Sequence, residues 1–185
     1  MGLGNPGPEY EATRHNVGAQ TVALLADRHG ARLRSSKEES LAAEVSVGGR
    51  RLALAFPQTY MNDSGRAVAR LVRRFGVTDL RHLVVVHDEL DLPAGTVRVK
   101  AGGGHAGHNG LRSIHTHLHD DGYLRVRIGI GRPPGRQSGA DYVLKAPGKA
   151  DREALAVARE CAADAVEAIL SDGADAAMNR YNAPQ

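Results

Sequence analysis

Residues 82–93 read HLVVVHDELDLP. From 82 to 87 the run is β-branched with polar residues only at its ends, as in a strand buried on both faces near the middle of a sheet. Asp88 follows at its carboxyl end, with Glu89 and Asp91 just beyond. Ligands of α/β sheets bind outside the carboxyl ends of strands, so these acids mark a candidate site. Three acids also suggest Mg²⁺ or Ca²⁺, but Leu90 divides them and no second acidic cluster accompanies them. One carboxylate orienting a histidine is the simpler use.

Working outward, 96–100 alternates as a strand, 102–110 is a glycine-rich loop, 111–118 has helical spacing and 123–130 is another strand. Residues 131–139, with Pro133 and Pro134, read as a loop, 151–170 as an alanine-rich helix and 175–181 as a short terminal helix. Upstream, Ser64 is expected to cap a helix with Val68, Leu71, Val72 and Phe75 on its apolar face, closed by Gly76. Residues 41–47 and 51–56 flank Gly48-Gly49 as a hairpin, and 17–29 forms a helix ended by Gly30. Strands alternating with helices predict an α/β fold, a single domain over 1–185 with a mixed β-sheet flanked by helices.

The chain has 185 residues, 42% of them hydrophobic, enough to bury roughly 70% of its unfolded surface in one domain. No apolar run reaches the roughly 18 residues of a membrane span, and the start lacks a signal peptide's regions, so a cytoplasmic protein is expected. Cys161, the only cysteine, excludes an internal disulfide and sits at an apolar position of a helix-like segment, as a buried thiol rather than a nucleophile. The net charge of +3 hints at a polyanionic partner. Its distribution is sharper: Arg98, Lys100, Arg112, Arg125, Arg127, Arg132 and Arg136 make one half anion-facing, while acids dominate 151–175.

GLGNPG at 2–7 fits the dinucleotide-binding fingerprint letter for letter. No strand precedes it, Pro6 removes a backbone donor and no acid follows at the right distance, so a tight loop exposing the Asn5 carboxamide fits better. His15 lies between a turn and a helix start, where Asn16 is the expected cap and an imidazole suits proton transfer near neutral pH. Asn62, after Tyr60 and Met61, places another carboxamide in a loop. GGGHAGHNG at 102–110 spends backbone entropy that only a close approach explains. His105 and His108, with His115, His117 and His119, imitate a zinc cluster, but they point different ways and no cysteine is near, so no metal is expected. Singly, each feature has a plainer reading: a turn asparagine, a surface histidine, a capping asparagine, exposed histidines. No serine lies in a nucleophile elbow. Asn5, Asn62 and Asn109 with one His and one Asp instead suit binding amides and activating water.

Residues 2–7, TRHN at 13–16, YMNDSG at 60–65, HDELDLP at 87–93 and 102–111, with RIGIG at 127–131 and MNRY at 178–181, together resemble the signatures of bacterial peptidyl-tRNA hydrolases. The likeness runs in order through essentially the whole chain. It implies a monomeric α/β fold of the peptidyl-tRNA hydrolase-like, phosphorylase/hydrolase-like type. It also implies hydrolysis of the ester joining a peptide to the 3′-terminal ribose of tRNA, recycling the tRNA without metal or organic cofactor. By the same resemblance His15 is the catalytic base, Asp88 its partner, and Asn5 and Asn109 catalytic amides. Asn62, Met61, Tyr10 and His108 fall at substrate-binding positions, and Lys100, Arg98 and Arg127 where the family binds tRNA phosphate.

This transfer agrees with the chemistry. A histidine held in one tautomer by a carboxylate can deprotonate water, and carboxamides can steady an oxyanion and pair with any peptide backbone. Two departures accompany the resemblance. It implies an apolar strand running into Gly2, so the central sheet is expected to lack a strand, and Ala106 replaces a commoner glycine. Two rivals stand beside it: an RNA-binding protein on the same fold without hydrolysis, and a nicotinamide-dependent oxidoreductase built on residues 2–7.

Overall fold

A computed structural model describes residues 1–183. Gly48 and Gly49 adopt φ of 57° and 79°, the left-handed pair that a two-residue hairpin needs. They join β2 (Ser40–Val47) to β3 (Arg50–Pro57), and a three-residue strand, β1 (Arg34–Ser36), pairs antiparallel with β2. The second sheet has β6 (Leu124–Gly129) in its middle, parallel to β4 (Val84–Glu89) and antiparallel to β5 (Val97–Ala101). It is mixed, as expected.

No regular strand covers residues 1–3, but a bridged segment stands there. Residues 1–3 run between the two sheets: Gly2 N–H donates to Ala55 O at 2.9 Å, Leu3 N–H to Val86 O at 3.0 Å, and Val86 N–H to Met1 O at 2.8 Å. Gly2 bridges Val86 in the parallel sense, so this short segment links β3 to β4.

Its glycines serve packing. A Cβ on Gly2 would meet Gly18 O at 2.1 Å, and one on Gly4 would meet Ala19 Cβ at 2.9 Å. These contacts let α1 (Val17–Arg28) press onto the segment. The first two glycines of the dinucleotide fingerprint are therefore spent on helix packing.

Alternate residues of β4 face two apolar layers, which makes it the doubly buried strand its composition predicts. Val86 packs with Val17, Val22 and Leu25 of α1 and with Ala158, Ala162 and Ala165 of α5 (Lys149–Asp172). Leu83 and Val85 pack with Val68 of α2 (Ser64–Arg74) and Leu111 and Ile114 of α3 (Asn109–Leu118). The short α4 (Gly139–Val143) begins where the predicted 131–139 loop ends, and α6 (Ala174–Asn182) closes the described chain.

Local expectations shift at three points. Ser64 is the first helical residue, and its Oγ donates back to Met61 O at 2.8 Å instead of capping. Asn16 makes no capping bond either. Cys161 is half-buried, and burial pushes its thiol up. Among the described residues, no helix is long and apolar enough to cross a membrane.

Candidate active site

His15 belongs to a 3-10 turn, Arg14–Asn16, that leads into α1, and Asp88 is a buried residue next to the carboxyl end of β4. His15 Nδ1 lies 2.9 Å from both Asp88 oxygens. A carboxylate only accepts, so Nδ1 carries the proton and Nε2 keeps its lone pair. His108 Nε2 stands 2.9 Å from Asp88 Oδ1. Its other nitrogen, Nδ1, accepts from the N–H groups of Gly110 and Leu111 at 3.1 and 3.3 Å, capping α3. The His108 proton therefore sits on Nε2, directed at Asp88. His87, fully buried, donates from Nδ1 to Asp88 main-chain O at 2.7 Å, and its ring meets His108 edge to face. Burial, with His108 beside it, pushes His87 down to about 3, so that ring is neutral. Three imidazoles thus surround one aspartate, each with its tautomer set by a partner.

Burial pulls the His15 imidazole down, but the charge and hydrogen bond of Asp88 outweigh it and hold His15 above the ordinary histidine range. Burial likewise works against the Asp88 carboxylate, yet His15 and His108 together keep it far below the usual carboxylate range. The neighbouring acids have separate partners: Glu89 accepts from Arg127 Nε and Nη2 at 3.1 Å, and Asp91 from Arg132 Nη2 at 2.6 Å. One carboxylate alone faces the histidines, as the simpler reading of the acidic run requires.

His15, Asp88, His108 and Asn109 line a cavity of about 580 Å³ roofed by Arg132, Pro133 and α4. Asn109 opens α3 instead of lying in the loop, and its Oδ1 accepts from Arg112. Asn5 is buried, not exposed. Its Oδ1 accepts from Met61 N–H at 2.7 Å while Asn16 clasps its main chain, leaving Asn5 Nδ2 as the available donor. Met61 and His108 meet at Gly110, where a Cβ would touch Met61 Sδ at 2.5 Å and His108 Cε1 at 3.1 Å. The Asn5–Met61 pair therefore adjoins the cavity wall. Asn62 is exposed beside Met61, and Tyr10 packs edge-on against Tyr60, which is 58% exposed.

The basic residues divide. Lys100 is exposed at the end of β5 and lies against Gly103. Arg98 is held by Tyr181 O at 2.8 Å, and Arg127 by Glu89. Arg125 does not face solvent with the others; it is buried.

His15, Asp88 and His108 form a set of donors close enough to hold a cation, their ligand atoms lying within 4.8 Å of one another. Both imidazole nitrogens already donate to the carboxylate, so an ion would have to displace two protons. His115, His117 and His119 stay exposed on or beside α3 and do not join.

Sequence reasoning missed the roles of His87 and Arg14. Arg14 Nη1 donates to Lys145 O and Ala146 O at 3.2 Å, Nη2 to Asp151 at 2.9 Å, and the guanidinium lies 4.2 Å from the centre of the Tyr142 ring. It fastens the His15 turn to the α4–α5 junction. Its place beside His15 in TRHN was the available signal.

Chemically, the site offers an unprotonated Nε2 on a cavity wall, an anion behind it to steady the imidazolium, and amide donors nearby. The sequence matches the family described as Peptidyl-tRNA hydrolase over residues 1–185. It is 51% identical to the peptidyl-tRNA hydrolase of Frankia alni over 99% of this chain and 92% of that protein. It is 53% identical to that of Rhodococcus erythropolis over 98% and 96%. The fold superposes on the crystal structure of peptidyl-tRNA hydrolase from Acinetobacter baumannii with a TM-score of 0.92 at 36% identity, covering 100% of this chain and 93% of that one.

Proposed function

The chain belongs to the peptidyl-tRNA hydrolase family, carboxylic ester hydrolases that act on peptidyl-tRNA, and from that premise we propose that His15 activates the water that cleaves the ester. The observation that carries this is His15 Nδ1 locked on Asp88 while its ring borders the cavity. The substrate is a peptide, or an N-blocked amino acid, esterified to the 3′-terminal ribose of tRNA.

Water attacks the ester carbonyl as its proton passes to His15 Nε2, and Asp88 stabilises the imidazolium that forms. Asn109, at the cavity, and Asn5, through its free Nδ2, supply amide donors for the developing oxyanion; one such donor is worth on the order of 10²-fold. The tetrahedral intermediate expels the ribose oxygen, which takes the proton back from His15. Peptide carboxylate and tRNA with a free 3′-hydroxyl leave. No metal or organic cofactor enters these steps.

Asn62, Met61 and Tyr10 contact the peptide end of the substrate, where a carboxamide pairs with backbone and so admits any peptide sequence. His108 borders the same substrate while it orients Asp88. Lys100 grips tRNA phosphate, and Arg98 and Arg127 contribute after yielding Tyr181 O and Glu89. The protein works as a cytoplasmic monomer, recycling tRNA from prematurely released peptidyl-tRNA.

The rival without hydrolysis leaves the His15–Asp88 arrangement unexplained, and the nicotinamide reading fails because Gly2 and Gly4 pack against α1. The test is release of N-blocked aminoacyl groups from labelled tRNA by wild type and His15→Ala, with and without EDTA, and with unblocked aminoacyl-tRNA as control. Cleavage of the blocked substrate alone, unaffected by EDTA and lost in the variant, is expected. No cleavage by folded wild type would favour the binding-only protein.

A further inference from the structure

The loop between β5 and α3 has almost no side chains with which to hold itself. Gly102, Gly103, Ala106 and Gly107 take φ of 63°, 96°, 46° and 80°, conformations that cost most entropy to fix where glycine is used. At its start, Gly102 N–H reaches Tyr123 O at 3.0 Å; at its end, His108 N–H reaches His105 O at 2.8 Å. The stretch between them is gripped from beneath by Arg125.

Arg125 sits on β6 opposite Lys100 and is only 3% exposed. Its Nη1 donates to Gly104 O at 2.7 Å, its Nη2 to Gly103 O, and its guanidinium lies 4.9 Å from the centre of the Tyr123 ring. Among the described residues no carboxylate pairs with it. Burying a guanidinium is costly unless its hydrogen bonds are strong, and these two charge-assisted bonds to carbonyls are what it has. At that burial it cannot meet an RNA phosphate, so its cation is spent inside the protein.

The loop it holds ends at His108, whose Nδ1 caps α3 and whose Nε2 donates to Asp88. The same loop touches Lys100: a Cβ on Gly103 would meet Lys100 Nζ at 2.9 Å. We propose that Arg125 is a positioning residue for the hydrolysis, clamping Gly103 and Gly104 so that His108 stays seated on Asp88. The inference rests on the proposed roles of His15 and Asp88, and it makes Arg125 act through His108 without touching substrate.

Arg125→Met and Arg125→Lys in the full chain test it, with three readouts below either variant's melting temperature. These are kcat and KM on N-blocked aminoacyl-tRNA, affinity for deacylated tRNA as a function of salt, and the imidazole NMR signals of His108. In Arg125→Met, kcat should fall on the order of 10- to 100-fold, as misplacement near the chemistry does. Binding of deacylated tRNA and its salt slope should hold within about twofold, and His108 should lose its fixed Nε2–H signal. Arg125→Lys, able to reach one carbonyl, should recover part of kcat and part of that signal. Unchanged kcat, or a fixed His108 signal despite lost kcat, overturns the proposal, and so does weaker tRNA binding with a shallower salt slope. If Arg125→Met does not fold, Arg125→Lys decides alone: intermediate kcat with a broadened His108 signal supports the clamp, and wild-type values refute it. If wild type cleaves nothing, the hydrolase reading fails, while the NMR comparison still decides whether Arg125 seats His108.

Discussion

His15 Nδ1 meets both oxygens of Asp88 at 2.9 Å across 73 residues of sequence, so the charge that orients the imidazole also raises its proton affinity. In the proposed mechanism the site works only with His15 unprotonated. Its rate should therefore climb with pH through a midpoint above the ordinary histidine value of 6.5. Measured kcat/KM, corrected for alkaline hydrolysis of the free ester, should show that rise. In Asp88→Asn the raising charge is gone while burial remains, so the midpoint should move down. Loss of the fixed tautomer should cost between about 10²- and 10⁴-fold in kcat. A midpoint that stays put would separate Asp88 from the titration.

The same pair makes stability depend on pH. His15 is raised in the folded state, so its contribution is complete below the unfolded value near 6.5 and is lost as pH rises through the folded value. Asp88 is depressed, so its contribution is present above its ordinary 3.8 and disappears only as pH falls toward its folded value. Denaturant melts of wild type and His15→Gln should differ more at about pH 6 than at about pH 9. A gap that widens at high pH would contradict the assignment.

Catalysis and RNA binding should separate by residue. His15→Ala should lose turnover by at least about 10²-fold while retaining affinity for deacylated tRNA. Lys100→Ala, altering an exposed cation that the described ion pairs do not include, should weaken binding and lower the salt slope by roughly one counterion. Reversed effects, in binding titrations at several salt concentrations, would sink both roles.

How much of this was legible in the amino-acid order varies by residue. β4 could be read because Leu83 and three consecutive valines, set between His82 and His87, suit a doubly covered strand, and the Gly48-Gly49 turn because few other pairs take that shape. β1 could not, since three residues show no alternation, and neither could the linking role of residues 1–3. Asn5 and Asn109 were visible as amides, but the burial of one and the helical position of the other depend on Met61, Asn16 and Arg112 arriving from elsewhere. Arg125 misled because its charge grouped it with Lys100 and Arg127. Only its bonds to Gly103 O and Gly104 O reveal that it turns to the loop.

Arg14 gives a prediction about the frame around the base. It holds two carbonyls of the α4–α5 junction and Asp151, whose side chain is 39% exposed. Arg14→Ala removes a buried guanidinium that donates to Lys145 O and Ala146 O, and losing hydrogen bonds from a charged donor costs about 1.5–3 kcal/mol. Asp151→Asn removes only a half-exposed charge partner and should cost well under that, on the scale of about 1 kcal/mol or less for an exposed pair. Urea melts of the two variants should rank in that order. Equal losses would show that the ion pair, and not the carbonyl clasp, fastens the turn.

Gly18 places a heavy steric demand on the site's geometry. A Cβ there would stand 2.2 Å from Val86 O and 2.8 Å from Leu3 N, both main-chain atoms engaged in the link between the sheets. Backbone cannot swing aside as a flexible side chain does, so Gly18→Ala must push α1 off β4. Overpacking of this kind costs about 1–3 kcal/mol, which outweighs alanine's helix-propensity gain over glycine of about 1 kcal/mol. Because His15 sits three residues before Gly18 in the turn that feeds α1, the displacement should also draw Nδ1 away from Asp88. The expected result is a lower melting temperature together with a loss of kcat that persists at temperatures where the variant is fully folded. A variant that melts early yet keeps wild-type kcat when folded would show that the turn holds His15 independently of α1, with Arg14 and the α4–α5 junction as its anchor.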